Sequence, residues 1–439
     1  MATHQKKIGI IGLWHLGCVA ASSLADIGHN VIGVDFDQKI LKGLKDGKAP
    51  IQEPGLQDLL DKNIRKGTLV FTSSFQQALS NADFILITFD TPVDNNDRLN
   101  LSLIYRACDS IAKYAPKKFT LVIMSQIPVG TSRELKKIIL NKNKNLSFDI
   151  IYSPENLRLG EALKIFNNSE RIIVGLEKHS TKQKAEKLFS FTEAPKIYMD
   201  LESAEMTKHA INAYLASSIS FVNELASLSE VLNADIGKVV EGMKSDSRIG
   251  RHAFLNPGLG FAGGTLGRDI QVLRSFGKKF GIKTEFINAV LKINRNRKKM
   301  LFKKIDDIFP SLNGLNIGLL GLTYKAGTDT LRRSVSLEVA KKMISKNAHV
   351  SAFDPMINEK IDVIKKLTIA KDPYEIAMDA DLLVLMTDWP EFKNLDFAKI
   401  KKIMKKPIII DMRNFLNAEV LKKLSFDYYG VGIKNINIK

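Results

Sequence analysis

The stretch Lys7-Ile8-Gly9-Ile10-Ile11-Gly12-Leu13-Trp14-His15-Leu16-Gly17, with Asp35 eighteen residues after its last glycine, decides the fold. Lys7–Leu13 is an apolar run without alternation, the pattern of a strand buried on both faces of a parallel sheet. The glycines predict a tight turn, a helix follows, and Asn30–Asp35 reads as a second strand. A dinucleotide-binding unit has this order and asks for G-x-G-x-x-G in the turn. Its first glycine permits the bend, its second lets the backbone approach a pyrophosphate, and the helix N-terminus supplies amide donors and the positive end of a dipole. Gly12 and Gly17 fill the outer positions, but Trp14 stands at the middle one. Its side chain must point away from the phosphates, or the cofactor must shift. An acid in the place of Asp35 accepts from ribose hydroxyls and repels a 2′-phosphate, which favours NAD over NADP. Asp35 could equally just end a strand, but its position after strand, glycine turn and helix favours binding.

Working outward, Leu69–Thr72, Phe84–Phe89, Thr120–Ser125 and Asp149–Tyr152 are further strand candidates, joined by amphipathic helices into a doubly wound sheet. From Leu201 to Met300 the strand signal stops, and apolar residues recur at helical spacing. A long helix there offers a dimer surface. The α/β pattern restarts after the Asn313-Gly314 turn, with strands at Asn316–Gly321, His349–Phe353, Leu382–Met386 and Pro407–Asp411 and a helix at Ser336–Lys346. The expected architecture is α/β, with two Rossmann-like doubly wound parallel-sheet domains (residues 1–200 and 301–439) joined by a helical middle section (201–300).

Bulk composition narrows the function. The 439 residues carry a net charge of +18, from 65 Lys and Arg against 47 Asp and Glu. The basic residues are scattered over faces that read as solvated, not gathered into a stripe with interleaved aromatics, so nucleic acid is not the expected partner. No apolar run reaches the roughly 18 residues a membrane span requires, and polar Met1–Lys7 does not open a signal peptide; a cytoplasmic protein without a membrane partner is expected. Two cysteines, Cys18 and Cys108, are too few for a disulfide framework or a zinc cage. Cys18 lies on the apolar side of a predicted helix and reads as a buried thiol, and no metal site is expected.

Several phrases, in order along the chain, resemble the UDP-glucose/GDP-mannose dehydrogenase family. They are Glu53-Pro54-Gly55-Leu56, Thr91-Pro92 with Leu101-Ser102, Pro128-Val129-Gly130-Thr131, and Ser153-Pro154-Glu155 with Leu157-Arg158. Next come Lys208 with Asn212, Arg248-Ile249-Gly250, and Phe254-Leu255-Asn256-Pro257-Gly258-Leu259-Gly260-Phe261. The last third adds Gly321-Leu322-Thr323-Tyr324-Lys325 with Thr328-Asp329 and Arg332, Asp354-Pro355, Thr387 with Trp389-Pro390 and Phe392, and Asp411 with Arg413-Asn414. The resemblance implies an NAD-binding first domain, a central section with catalytic groups and dimer contacts, and a last domain for the nucleotide of a UDP- or GDP-sugar. It implies a homodimer, a role in polysaccharide precursor synthesis, and an oxidation of a primary alcohol to a carboxylate in two NAD-dependent steps through a thiohemiacetal and a thioester on a cysteine. It assigns the cofactor to Gly12, Trp14, Gly17, Asp35, Thr91 and Arg332, and the sugar nucleotide to Arg248, Phe254, Leu255, Gly260 and Lys325. Lys325 and Arg332 suit phosphates of either ligand.

The resemblance places catalysis on Lys208, Asn212, Asp269, Glu155 and Thr265. Lys208 and Asn212, four apart on a predicted helix, share a face. Lys208 would stabilise a developing alkoxide, Asn212 would donate to it, and Asp269 would take the proton directly or through water. The departures are pointed. Thr265 stands where the family has its cysteine, Arg268 where it has lysine, Gln126 for a threonine and Leu159 for a second glutamate, and one extra residue separates Arg248 from Phe254. The groups for a first hydride transfer are kept and those for the second oxidation are lost, so a single two-electron oxidation to an aldehyde or ketone is expected. A non-catalytic sugar-nucleotide-binding homologue is the competing expectation, with Trp14 its support.

Overall fold

The computed structural model describes residues 5–91, 99–155, 157–358 and 364–434. The chain divides into two compact units, Met1–Ala210 and Ile211–Lys439. Pro92 of the Thr91-Pro92 phrase lies outside the described residues.

The first unit is built on eight strands: β1 (Lys7–Ile11), β2 (Asn30–Val34), β3 (Leu69–Thr72), β4 (Phe84–Ile87), β5 (Lys118–Ile123), β6 (Ser147–Tyr152), β7 (Ile172–Leu176) and β8 (Lys196–Asp200). Their order is β3-β2-β1-β4-β5-β6-β7-β8. Every pairing is parallel except β6 with β7. Apolar side chains line both faces, with Ile8, Ile10, Val31 and Leu86 in one core and Ile11, Val34, Ile85 and Ile87 in the other. This is why the strands lack alternation. The order reverses between β1 and β4, so a crevice for a ligand opens beyond their carboxyl ends.

The second unit contains the part of helix Leu201–Leu232 from Ile211 onward, the helices Ile236–Ser245, Leu266–Phe280 and Glu285–Ile308, and a six-stranded parallel sheet. Its strands are β9 (Asn316–Leu320), β10 (His349–Phe353), β11 (Leu367–Ile369), β12 (Leu382–Leu385), β13 (Ile408–Asp411) and β14 (Asp427–Tyr429), in the order β11-β10-β9-β12-β13-β14. The two-sheet α/β architecture and the long central helix agree with expectation. Four strands were not anticipated. Two of them, β8 and β11, are mostly half-exposed edge strands and lack the continuous apolar run of the inner ones.

One close approach fixes the start of the first unit. A Cβ on Gly17 would lie 1.7 Å from the carbonyl oxygen of Gly12, and Gly12 itself has φ +101° with the Phe89 backbone nitrogen 2.9 Å from any added Cβ. The helix His15–Asp26 can therefore begin directly against the turn only with glycine at both places. Gly17→Ala should unfold at distinctly lower urea concentration, a loss of about 1–3 kcal/mol from overpacking; an unchanged midpoint would mean that the helix start can shift away from the turn.

Candidate functional site

The dinucleotide turn is tied together by side chains around it. Asp35, at the end of β2, is buried; its Oδ2 accepts from the Leu13 amide at 2.6 Å and its Oδ1 from the Asp37 amide at 2.9 Å. Burial pushes its carboxyl above the usual carboxylate range, against the pull of those backbone donors. Thr88, just beyond β4, donates to the Gly12 carbonyl at 2.6 Å. Thr91 is buried three residues further on. Trp14 is 42% exposed and precedes the helix without a side-chain capping bond. Its ring meets His15 edge-on, with centroids 6.3 Å apart. The indole is therefore not packed into the core side of the turn. Cys18 is buried, donates to the Leu13 carbonyl at 2.9 Å, and has its thiol pushed up by burial.

This arrangement fits NAD. The Gly12 turn has no room for a Cβ, the first amides of a twelve-residue helix open beside it, and Asp35 retains lone pairs beyond its two backbone bonds. Gly12–Gly17 would hold the pyrophosphate and Asp35 the ribose hydroxyls, in accord with the NAD expectation.

Lys208 lies in the first unit on helix Leu201–Leu232 and is buried. Its ammonium donates to the main-chain carbonyl of Glu155, and the Glu155 carboxylate accepts from the Leu157 amide. The loop after β6 is thus held to the helix by a residue assigned to chemistry. Two carboxylates to which sequence reasoning gave no site role, Glu205 and the Glu53 of a family phrase, organise the neighbourhood. Glu205 is fully buried and accepts from the amides of Gly130 (2.5 Å) and Ser132 (2.8 Å), so it caps helix Thr131–Lys142 in place of a side chain from the helix itself. Burial pushes its carboxyl up. Glu53 accepts from the amides of Gly160 and Ala162, the latter at 3.0 Å, and lies 3.3 Å from His15 Nε2. The available signal for Glu205 was a carboxylate on the apolar face of a helix, beside Leu201 and Ala204. Gln126 is buried and Leu159 half-buried.

In the second unit, Asn212 Nδ2 donates to Asp269 Oδ2 at 2.5 Å, and Asp269 is fully buried with Arg268 Nε 3.9 Å from its Oδ1. Thr265 precedes helix Leu266–Phe280, exposed and without a side-chain capping bond. The phrase 254–261 is a loop held from below. Asn223 accepts from the Gly258 amide at 2.8 Å, and Arg297 Nε donates to the Gly258 carbonyl at 2.9 Å. Asn294 exchanges two bonds with Phe261, at 2.8 and 3.0 Å. Gly260 has φ +86°, and a Cβ there would sit 2.2 Å from Asn294 Oδ1. Leu255 anchors the loop in the core while Phe254 stays exposed. Burial lowers the Arg297 guanidinium to about 10. Asn223, Asn294 and Arg297 escaped sequence reasoning because Asn and Arg on a helix ordinarily read as solvated. Gly263 rests against the Tyr324 ring, whose nearest atoms are 3.3 Å from an added Cβ. Next to Tyr324, Lys325 is half-buried, and Arg332 is exposed. Arg248 is exposed and forms a two-pronged pair with Asp246 (3.0 and 2.7 Å).

Replacing Trp14 by glycine lets the backbone come closer to a pyrophosphate, so Trp14→Gly should bind NAD several-fold more tightly in calorimetry, a gain of about 1 kcal/mol. Weaker binding would show that the indole, and not only the main chain of Trp14, contacts the cofactor.

Residues 6–193 match the NAD binding domain of the UDP-glucose/GDP-mannose dehydrogenase family, residues 202–296 its central domain, and residues 318–418 its UDP binding domain. A UDP-glucose 6-dehydrogenase of Bacillus subtilis, TuaD, is 34% identical over 431 residues, covering 98% of this chain and 93% of that protein. One from Rickettsia bellii is 34% identical over 435 residues, 98% of this chain and all of the relative. Among solved structures, a UDP-glucose dehydrogenase from Pyrobaculum islandicum superimposes with a TM-score of 0.90 at 28% identity, covering 98% of this chain and 99% of that one. A UDP-D-ManNAc dehydrogenase from Pyrococcus horikoshii does so with a TM-score of 0.86 at 26% identity, covering 97% and 99%. With its glycine turn, buried acid and paired Asn212 and Asp269 carried on a chain matched over nearly its whole length, this protein belongs to the UDP-glucose/GDP-mannose dehydrogenase family.

Proposed function

We propose that the chain oxidises one hydroxyl of the hexose of a nucleotide sugar, a UDP-sugar before a GDP-sugar, in a single two-electron step. NAD, when bound, accepts the hydride. The observation that carries this reading is the absence of a usable thiol. Thr265 stands where the resemblance puts the cysteine, and a Thr hydroxyl has no appreciable alkoxide fraction near neutral pH. Neither cysteine of the chain can substitute. Both are buried, with thiols pushed up by burial, Cys108 to about 12. Without a thiolate the carbonyl product is not trapped, and Leu159 supplies no carboxylate for a hydrolytic step.

The retained groups suit the first oxidation. Asp269 takes the hydroxyl proton, directly or through a water, and Asn212 orients its carboxylate. The second N–H of Asn212 is a donor for the reacting oxygen. To Lys208, fixed by its bond to the Glu155 carbonyl, we assign the stabilisation of developing negative charge. We assign NAD to residues 1–200, catalytic and dimer contacts to 201–300 and the nucleotide of the sugar to 301–439. Gly12, Trp14, Gly17, Asp35, Thr91 and Arg332 serve the cofactor; Arg248, Phe254, Leu255, Gly260 and Lys325 serve the substrate. The cytoplasm is the assigned compartment: the two cysteines are free, buried thiols, which suits a reducing environment, and no described helix is long and apolar enough to cross a membrane.

With NAD and a panel of UDP- and GDP-sugars, the purified protein should release one NADH per sugar and an aldehyde or ketone identified by mass spectrometry. Two NADH with a uronate would overturn the single-step reading.

The assembly proposed is a homodimer. Tyr214, Phe221 and Leu228 recur every seven residues along helix Leu201–Leu232 and are 72%, 50% and 51% exposed, with Val231 and Leu232 continuing the stripe. Such a contiguous apolar stripe on an isolated chain marks a buried interface. Phe221→Asp should sediment as a monomer where the wild type sediments as a dimer; a monomeric wild type would remove the dimer from this reading.

A further inference from the structure

The loop between β6 and helix Ala162–Asn167 is tethered at three points, all inside the first unit. At its start Ser153 donates to the Ile173 carbonyl at 2.9 Å. In its middle the Glu155 carbonyl receives the Lys208 ammonium. At its end the amides of Gly160 and Ala162 both donate to the carboxylate of Glu53. Gly160 is exposed and has φ +87°, so its amide depends on Glu53 for a protein partner and nothing packs over it. Glu53 itself is buried, and its remaining neighbour is His15 Nε2 at 3.3 Å, in the first turn of the dinucleotide helix and directly after Trp14. A buried carboxylate needs its full set of donors, because each donor withdrawn leaves charge unsolvated. A shift of His15 is therefore compensated by a shift of Glu53 and of the two amides it holds.

We infer that the His15–Glu53 bridge transmits occupancy of the dinucleotide turn to the loop that carries Glu155, and that His15 and Glu53 are positioning residues for Lys208. The path is short: by contact from the turn through the His15 ring and the Glu53 carboxylate to the Gly160 and Ala162 amides, then by chain connectivity to Glu155, whose carbonyl receives the Lys208 ammonium. Engagement of the first amides of the helix by a pyrophosphate restricts the turn in which His15 sits. The loop end is then held more firmly, and the ammonium with it. Cofactor binding thereby orders a catalytic group that no cofactor atom needs to touch. The bridge stands on geometry alone; its catalytic consequence rests on the reading of Lys208 given above.

The experiment is amide hydrogen exchange on the full-length chain, with and without NAD, in the wild type, His15→Phe and His15→Gln. Phenylalanine fills the space and cannot donate; glutamine can donate to Glu53. NAD binding is followed independently by calorimetry. In the wild type, NAD should slow exchange across residues 157–162 by roughly tenfold or more, the signature of a loop held closed more of the time. In His15→Phe, NAD should still bind but leave that exchange unchanged, and His15→Gln should restore the response. Turnover should follow the same pattern, with kcat about tenfold lower in His15→Phe and the KM for NAD nearly unchanged, a loss of positioning rather than of binding. Adding His15→Phe to Lys208→Met should cost nothing further, since both act through one ammonium. Exchange that ignores NAD in the wild type, or that still responds in His15→Phe, overturns the bridge. Full turnover in Lys208→Met overturns the role of Lys208 instead, and the exchange result then judges the bridge without it.

Discussion

A carboxylate at the end of the second strand of each sheet holds the turn that follows the first. In the first unit it is Asp35, which accepts from the Leu13 amide. In the second it is Asp354, which accepts from the amides of Leu322 and Thr323, the Thr323 hydroxyl and the Trp389 indole. A threonine beyond the fourth strand taken in each sheet completes the lock, Thr88 to the Gly12 carbonyl and Thr387 to the Thr323 carbonyl. The glycines Gly12 and Gly321, at φ +101° and +96°, allow the bends. Both carboxylates are buried, so each must be satisfied by amides, and the amides of a tight turn are the donors at hand. The turns at the strand-order reversals stay tight because these carboxylates hold their amides.

Much of this was legible, though for a reason partly different from the one that made it visible. The phrase around Glu53 stands out as a family motif, yet its carboxylate spends itself on the amides of Gly160 and Ala162. Gly130 stands out too, and its amide is one that Glu205 holds from another helix. Asp354-Pro355, Thr387 and Trp389 form a single hydrogen-bonded cluster around one carboxylate. A motif read from sequence reports that a residue is required, not what it touches. Most inner strands were legible from continuous apolar runs, though the fully buried β7 was missed despite one; β8 and β11 were not legible, because a half-exposed edge strand needs no such run.

What escaped altogether has a common cause. Asn223, Asn294 and Arg297 lie on long helices whose patterns are read for apolar periodicity, and a polar residue breaks the pattern without announcing a role. Their role follows only once the loop 254–261 is folded back over them. That loop contains two glycines and a proline, and has few backbone bonds of its own. Two buried side chains, Asn223 and Arg297, and the half-buried Asn294 supply them instead. A loop that must present side chains to a ligand can be held this way without regular structure.

Trp14 and Thr265 are the two places where local rules and family pattern are broken together, and the structure treats them alike. Neither side chain is drawn into a core, neither caps the helix it precedes, and both stand at the N-terminus of a helix whose interior is conventional. Asp35, Glu53, Glu205 and Asp269 keep donors, while Trp14, Leu159 and Thr265 sit at exposed or half-exposed positions and Gln126 is buried. The departures from the family pattern thus leave in place the buried carboxylates and amides that hold the dehydrogenase frame, because each of those carboxylates loses its solvation if a donor is withdrawn.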